Sequence, residues 1–276
     1  MEFPSATWRL VQTPPAHGAW NMAVDEAILE AVAAGESPAT LRLYAWQPAC
    51  LSLGYAQPFS DVDLPALTAY GWEWVRRPTG GRAILHTDEL TYAVIGSQDD
   101  PRLAGSVLES YQHLAQALVL ALHMLGLQPQ SDADPKVAPG SDPKGAVCFD
   151  VPSPYEITVD QKKLVGSAQR RSQQGVLQHG TLPLTGDLRR ITQGLCFPDS
   201  ASRQQAAVRL LERATTVETV LGIAPSWDEA ATAFADAFQQ ALNLRLSAQE
   251  LSQSELSRAE QLVREKYTHP AWNKRV

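Results

Sequence analysis

Cysteine is scarce in this chain of 276 residues, which contains Cys50, Cys148 and Cys196. An odd number of cysteines at wide spacing forms neither a disulfide framework nor a zinc site. We therefore expect a reducing, cytoplasmic environment. We also expect no bound metal and no cofactor. Cys50 and Cys196 lie between apolar neighbours, which favours the ordinary role of a free cysteine as a small buried residue.

The chain also lacks an excess of basic charge. Its 23 Lys and Arg residues face 30 Asp and Glu residues, for a formal net charge of −7. A general nucleic-acid binder has a basic footprint, so this class is disfavoured. There is no run of about 18 apolar residues to span a membrane. The start "MEFPSATWRL" has neither the basic segment nor the apolar core of a signal peptide.

The composition is that of a folded protein, because 44% of the residues are apolar. The length suits one large domain, or a domain with a smaller appendage. Strand-like and helix-like segments do not alternate regularly, which disfavours a Rossmann or barrel fold. We predict an α+β fold, with a mixed, largely antiparallel sheet flanked by helices. Residues 1–245 would form the main domain, and 246–276 a helical extension packed on it.

Local signals place several elements. "NMAVDEAILEAVAAG" predicts a helix capped by Asn21 and ended by Gly35. Ser106 and Glu109 form a capping-box pattern before a long helix, and a last amphipathic helix covers roughly 254–267. "YEITVD", "KLVGSAQRR" and "VLQHGTLPL" resemble consecutive antiparallel strands. The segment 128–145 is rich in Pro, Gly and Asp, which predicts a surface loop.

The first dense motif is "RRPTGGRAILH". The pair Gly80-Gly81 permits positive φ and a close approach of the backbone to a ligand. The motif has neither the Gly-Lys-Ser/Thr of a Walker loop nor the spacing of a dinucleotide fingerprint. A turn with solvated arginines is the plain alternative, and His86 at the motif's end is more often a core or wall residue than a catalyst. The arginines of this motif are Arg76, Arg77 and Arg82.

The second motif is "KKLVGSAQRR". Gly166, Ser167 and Ala168 are small, and small side chains in a strand leave room beside the backbone. Consecutive strand residues point to opposite faces, so at most one of Lys162 and Lys163 faces such a space. The alternative is a solvated lysine pair at a turn.

Cys148 differs from the other two cysteines in its context. It follows the polar loop and precedes a predicted hairpin that carries the lysines. A free thiol has a pKa near 8.5 and attacks as the thiolate, which a nearby ammonium favours. From its position in the sequence alone, Cys148 is equally well explained as a small buried residue and as a nucleophile.

Five stretches, in this order, resemble the lipoate–protein ligase and octanoyltransferase superfamily. They are "NMAVDEAIL", "LRLYAWQPACLSLGY", "RRPTGGRAILHTDELTY", "CFDVPSPYEI" and "KKLVGSAQRRSQQGVLQHGTLPL". The resemblance covers roughly residues 7–200. In that superfamily, the LipM-type octanoyltransferases carry a cysteine in the context "CF…PS.YE", ahead of the lysine of "K..GSAQ". The resemblance implies the biotin/lipoate ligase catalytic fold, related to class II aminoacyl-tRNA synthetases, for the main domain.

The resemblance also implies the roles of particular residues. Cys148 would be the catalytic nucleophile, and Lys163 the catalytic lysine that contacts the acyl carbonyl and lowers the thiol pKa. The residues implied in substrate binding are Arg76, Arg77, Thr79, Gly80, Gly81, His86, Gly166, Ser167, Ala168 and His179.

The implied reaction moves octanoyl from octanoyl-acyl carrier protein to a lysine of a lipoyl domain, through a cysteine thioester. The implied acceptors are the glycine cleavage H protein and the lipoyl domains of dehydrogenases. These partners are acidic, and we expect the arginines near residues 76–82 and 170–171 to meet them. We expect neither nucleic acid nor a membrane as a partner.

Three other functions remain open at this stage. An ATP-dependent lipoate–protein ligase would form an acyl-adenylate, with Cys148 incidental. An amidotransferase would take octanoyl from one lipoyl protein and pass it to another. A non-catalytic binder of acyl chains or lipoyl domains would show no turnover at all.

Overall fold

A computed structural model describes residues 3–131, 157–173 and 175–276. Cys148 and most of the predicted loop 128–145 lie outside these ranges. Within them, no helix combines the length and the apolar character that crossing a membrane requires, and no His, Cys, Asp and Glu side chains cluster in a way that would hold a metal ion.

The strands of the described residues form two sheets. The larger has the order β11-β1-β2-β6-β10-β9-β8-β7, and the smaller has the order β4-β3-β5. In the larger sheet β1 pairs in parallel with β11 and β2, and the other pairs are antiparallel. The predicted mixed, largely antiparallel sheet is confirmed, but the separate small sheet was not foreseen. The strands are β1 (Ala6–Gln12), β2 (Thr40–Tyr44), β3 (Cys50–Leu53), β4 (Glu73–Arg76), β5 (Ile84–His86), β6 (Glu89–Gly96), β7 (Gln130–Ser131), β8 (Ile157–Val159), β9 (Lys162–Ser172), β10 (Gly175–Pro183) and β11 (Leu244–Ala248).

Helices cover both faces of the larger sheet, so its central strand β6 is buried along its whole length. Tyr92 and Val94 of β6 pack in the cluster that holds α3 and α6. Ala93 and Ile95, which point the opposite way, pack in the cluster that holds α1 and α7. The helices are α1 (Gly18–Ala33), α2 (Leu64–Tyr70), α3 (Val107–Met124), α4 (Ser200–Arg213), α5 (Val217–Leu221), α6 (Trp227–Leu242), α7 (Gln253–Leu262) and α8 (Pro270–Asn273).

Two predicted helix starts have different outcomes. The capping box of Ser106 and Glu109 is present at the start of α3. The predicted cap Asn21 is wrong, because α1 begins at Gly18 and Asn21 lies buried inside it. The Asn21 amide instead donates to the carbonyl oxygens of Ala16 and Ala45. The Asn21 side chain therefore makes tertiary hydrogen bonds, although its residue type suggested a helix cap.

The C-terminal residues are tied into the body of the protein. The strand β11 extends the larger sheet beside β1, so the predicted boundary between residues 245 and 246 falls inside a strand. Beyond it, Glu255 of α7 forms a bidentate ion pair with Arg9 of β1, at 2.6 and 2.9 Å. Both side chains are almost fully buried.

We predict that Arg9→Met destabilises the protein by about 3 kcal/mol, because it leaves the Glu255 carboxylate buried without its cation. Urea unfolding at neutral pH measures this change. The matched control is Arg189→Met, which removes an exposed ion pair with Asp187 and should leave stability nearly unchanged, since water screens exposed pairs. Equal effects of the two substitutions would contradict the prediction.

Candidate active site

A cavity lies between β9, β10 and the loop that joins β4 to β5. Its mainly apolar lining with a few polar groups is typical of ligand sites. Most of the lining residues are buried, whereas Gly81, Ile84, Ser167 and Ala168 are at least partly exposed to solvent. The lining residues are Met22, Tyr44, Trp46, Ser52, Arg77, Gly81, Ile84, His86, Thr91, Gly166, Ser167, Ala168, His179, Gly180 and Thr181.

The small residues of β9 take part in the cavity as predicted. Gly166, Ser167 and Ala168 line it, and the register sets Gly166 opposite Thr181 and Ala168 opposite His179 on β10. The side chain of Ser167 is hydrogen-bonded to the Tyr92 hydroxyl at 2.6 Å. Burial raises the pKa of Tyr92 to about 12, despite the hydrogen bonds from its neighbours. Tyr92 therefore stays neutral and holds this strand in place.

The two lysines before these small residues have different surroundings. Lys163 is buried, at 5% exposure, and its carbonyl oxygen accepts from the backbone amide of Thr215. Lys162 is partly exposed, and its ammonium donates to the carbonyl of Leu211 on α4 at 2.7 Å. Lys163 lies three residues before Gly166 but is not part of the cavity lining. Lys163 is thus buried near the part of β9 that lines the cavity, whereas Lys162 lies nearer the surface, against α4.

His86 is held by three neighbours at the cavity wall. Its Nδ1 lies 2.6 Å from the Glu89 carboxylate and its Nε2 lies 2.8 Å from the Ser52 hydroxyl. Its ring stacks on that of Trp46, with centroids 3.9 Å apart. The carboxylate accepts from Nδ1, which leaves Nε2 to accept the Ser52 hydrogen. His86 is therefore a fixed wall residue in contact with the cavity.

His179 is part of a second buried chain. Its Nε2 lies 2.6 Å from the Thr79 hydroxyl and its Nδ1 lies 3.4 Å from Asp25. The other oxygen of Asp25 accepts from Arg42 at 2.7 Å, and the Tyr44 hydroxyl also donates to this carboxylate, at 2.9 Å. Burial works to raise the pKa of Asp25, but the Arg42 charge and the His179 hydrogen bond outweigh it and hold the pKa below its usual value. Burial lowers the pKa of His179, although Asp25 opposes this shift.

The glycine pair forms the turn that closes the cavity on one side. Gly81 lines the cavity at φ +88°, a left-handed conformation that other residues rarely adopt. Its carbonyl oxygen lies so near Gly54 that a Cβ there would come within 1.9 Å of it. A Cβ on Gly80 would meet open space. Arg77 braces the turn, since its guanidinium donates to the carbonyl oxygens of Gly80 and Arg82.

Arg76, which was predicted in substrate binding, is engaged with the backbone. Its side chain is fully buried and donates to the carbonyl oxygens of Gly54, Gln57 and Asn273. Arg77 is also buried, at 2% exposure. A buried guanidinium bonded to several carbonyls holds backbone segments together. The buried side chains of Arg76 and Arg77 thus present no charge at the surface for an acidic partner.

Several lining residues carry no signal that the sequence analysis used. Met22, Tyr44 and Trp46 come from apolar stretches that are ordinary core in their local context. Thr181 was within reach, because it lies two residues after His179 on a predicted strand and so points to the same face. Thr79 and Gly80 were predicted, but they adjoin the cavity without lining it.

The two described cysteines lie outside the cavity lining. Cys50 is fully buried, and this burial, together with Glu73 and Glu89, raises the pKa of its thiol. The predicted burial of Cys196 is wrong, because its side chain is exposed. Cys196 follows the 3₁₀ turn Leu188–Gln193 at the protein surface. Apolar sequence neighbours therefore did not determine its burial.

We predict that His179 makes the protein less stable as the pH falls below about 6.5, its pKa in an unfolded chain. The folded state holds His179 neutral, so the unfolded state binds more protons in this range. The free energy of unfolding therefore falls by at most about 1.4 kcal/mol for each pH unit that the pH is lowered. Urea unfolding at several pH values between 7.5 and 5.5 should show a flatter pH dependence for His179→Gln than for the wild type. His123→Gln, at an exposed site on α3, is the control. Parallel curves for wild type and His179→Gln would contradict the prediction.

Comparison with known proteins places this arrangement in a family. The family model described as the lipoyl protein ligase A/B catalytic domain matches residues 17–239. A protein of Kyrpidia tusciae named octanoyltransferase LipM is 42% identical over 275 residues, which cover 98% of this chain and 99% of that protein. A Bacillus subtilis protein of the same name is 35% identical, with 97% and 98% covered.

Solved structures share the fold. The bipartite lipoate protein ligase of Thermoplasma acidophilum matches with a TM-score of 0.81 at 24% identity, covering 97% of this chain and 96% of that one. A lipoate-protein ligase A bound with ATP matches with a TM-score of 0.78, also at 24% identity, covering 98% and 99%. At this identity the match speaks for the fold alone, and it agrees with the predicted ligase catalytic fold. With the family model spanning most of its length, the chain belongs to the lipoyl protein ligase A/B catalytic-domain family.

Proposed function

We propose that this protein is an octanoyltransferase of protein lipoylation. It would move an octanoyl group from octanoyl-acyl carrier protein to a lysine of a lipoyl domain, in the cytoplasm and without ATP. The observation that carries the proposal is the narrow, mainly apolar cavity against Gly166 and Ala168, in a chain whose relatives are named octanoyltransferases.

The cavity suits a medium-length acyl chain. Met22, Tyr44 and Trp46 are buried and offer apolar surface, and the small residues of β9 leave room beside the backbone. An octanoyl chain has about seven methylene and methyl groups, and burial contributes roughly 0.8 kcal/mol for each. The chain would therefore supply up to about 6 kcal/mol of affinity.

Cys148 would be the nucleophile and Lys163 the residue that favours its thiolate and contacts the acyl carbonyl. Family membership supports this assignment, as does the burial of Lys163 three residues before the cavity-lining Gly166. The Cys148 thiolate would add to the carbonyl carbon of the donor thioester and displace the carrier's thiolate. The lysine amine of the acceptor would then attack the enzyme thioester. Exchange between thioesters is nearly isoenergetic and amide formation is downhill, so the two steps suit a cysteine.

The acceptor would be a lipoyl domain, such as the glycine cleavage H protein or a lipoyl domain of a dehydrogenase. Acyl carrier proteins and lipoyl domains are acidic. With Arg76 and Arg77 buried, the basic side chains that follow the cavity-lining part of β9 are those of Arg170 and Arg171 on the same strand. Arg170 is about one-third exposed and lies 3.9 Å from Glu26, so it retains access to a partner. Such rim charges act mainly on the association rate.

We predict that incubation with octanoyl-acyl carrier protein, without ATP, adds one octanoyl group to the protein and that peptide mapping places it on Cys148. Intact-mass spectrometry measures the adduct. Cys148→Ala should form none, because the attacking sulfur is gone, and Lys163→Met should slow adduct formation by at least about tenfold, because the thiolate fraction falls.

Cys50→Ser and Cys196→Ser are the controls and should keep the adduct. An adduct on another residue, or an unchanged rate in Cys148→Ala, would overturn the assignment. Modification of the lipoyl domain that requires ATP and free acid would instead identify a ligase. An octanoyl-lipoyl protein that serves as donor where the carrier protein does not would identify an amidotransferase.

We predict that Gly81→Val lowers octanoyl transfer by about tenfold or more. A β-branched residue at φ +88° is strained by about 1–2 kcal/mol, and small displacements of a site wall are costly for positioning. Initial rates of transfer, with circular dichroism to check folding, measure the effect. Gly80→Ala is the matched control, since its Cβ meets open space. A folded Gly81→Val protein with an unchanged rate would count against this wall of the site.

A further inference from the structure

Thr181 is a buried hydroxyl at the cavity wall whose Oγ1 has no hydrogen-bond partner among the described residues. Its side chain is 1% exposed and lines the cavity. A buried hydroxyl without a partner carries a desolvation cost of about 1–3 kcal/mol. Groups of this kind in folded proteins call for a functional explanation.

The other polar groups of the lining are engaged. The hydroxyl of Ser52 is shared between His86 and Arg77, and that of Thr91 between Trp46 and Glu89. The same holds for the remaining polar side chains of the lining, which are Tyr44, Arg77, Ser167 and His179. Within the described lining, Thr181 is thus the hydroxyl left for a bound molecule.

The register locates Thr181 along the cavity. It lies opposite Gly166, whereas His179 and Ala168 form the next pair on the same face, about 7 Å further along the strands. The Asp25 carboxylate lies beside His179, deep in the core. Thr181 lies nearer the strand segment that begins at Lys163, three residues before Gly166. An acyl chain whose tail runs toward His179 has its carbonyl near Thr181.

We infer that Thr181 is a further catalytic residue, whose hydroxyl donates a hydrogen bond to the carbonyl oxygen of the acyl group. The inference rests on the proposed acyl transfer. An octanoyl thioester has one polar oxygen on an otherwise apolar chain, which matches one free donor in an otherwise satisfied lining. As the nucleophile adds to the carbonyl carbon, the π electron pair moves onto that oxygen, and it returns when the carrier's thiolate leaves. Thr181 keeps its proton, and its hydrogen bond strengthens while the oxygen is negative.

This role has a signature that a structural role lacks. Thr181→Val keeps the shape of the side chain and removes a hydroxyl that stabilises nothing in the described protein. The variant should therefore be at least as stable as the wild type. Its kcat should fall by about a hundredfold, with a smaller change in KM, because the lost interaction is strongest in the transition state.

The test compares steady-state transfer of octanoyl from octanoyl-acyl carrier protein in the wild type, Thr181→Val and Thr181→Ser, together with their thermal unfolding. Thr181→Ser restores the hydroxyl and should recover most of the kcat. Thr192→Val is the matched control, because Thr192 is equally buried but its hydroxyl donates to the carbonyl of Arg189. This control should lose stability and keep its kcat.

Three results would overturn the inference. They are a kcat within about twofold of the wild type in a folded Thr181→Val protein, a marked loss of stability in that variant, and a Thr181→Ser protein that is folded but as slow as Thr181→Val. The proposed function fails separately, if the wild type itself transfers no octanoyl from the carrier protein.

Discussion

A buried carboxylate, that of Asp25, connects the first helix to the strands that carry the cavity. It accepts from Arg42 and Tyr44 of β2 and lies within reach of His179 on β10. An ion pair with both side chains fully buried is costly to desolvate, so the fold tolerates it only with good geometry and several hydrogen bonds. This requirement fixes α1 against the sheet, and with it the apolar wall at Met22. It also fixes His179, whose other nitrogen positions Thr79 ahead of the glycine turn.

The opposite wall depends on residues far away in sequence. Arg76 joins the backbone at Gly54 and Gln57 to Asn273 near the C-terminus, and the Trp272 ring nitrogen donates to the Arg76 carbonyl. Because Gly54 lies against the carbonyl of Gly81, this clamp sets the position of the turn that lines the cavity. The C-terminal segment therefore contributes to the geometry of the site without touching it. That explains how a motif arginine beside a binding loop serves the fold rather than the ligand.

Sequence patterns predicted those features that are determined locally. The strand at "VLQHGTLPL" and the capping box at Ser106 depend on neighbours a few residues away, and both were confirmed. Asn21 and Cys196 were misjudged because a tertiary contact or a surface position decided their role. The contiguous motifs located about half of the cavity wall, including Gly81, Gly166 and His179. Much of the rest comes from single residues of α1, β2, β3 and β6, such as Met22, Tyr44, Ser52 and Thr91, whose local context is the same in a site as in a core.

The lining thus combines two kinds of polar group with different consequences. His86, His179 and Ser52 have their hydrogen bonds completed by the protein, so they stay in place and do not compete for a ligand. Such satisfied groups let a mainly apolar cavity contain histidines without the cost of unpaired polar atoms. Thr181 is the exception in the described lining, because its hydroxyl is buried without a partner there and so lowers the stability of the folded state. An acyl chain bound as proposed would be held by non-directional apolar contacts along its length and oriented by one directional bond at Thr181. That bond would favour an acyl group over a plain hydrocarbon.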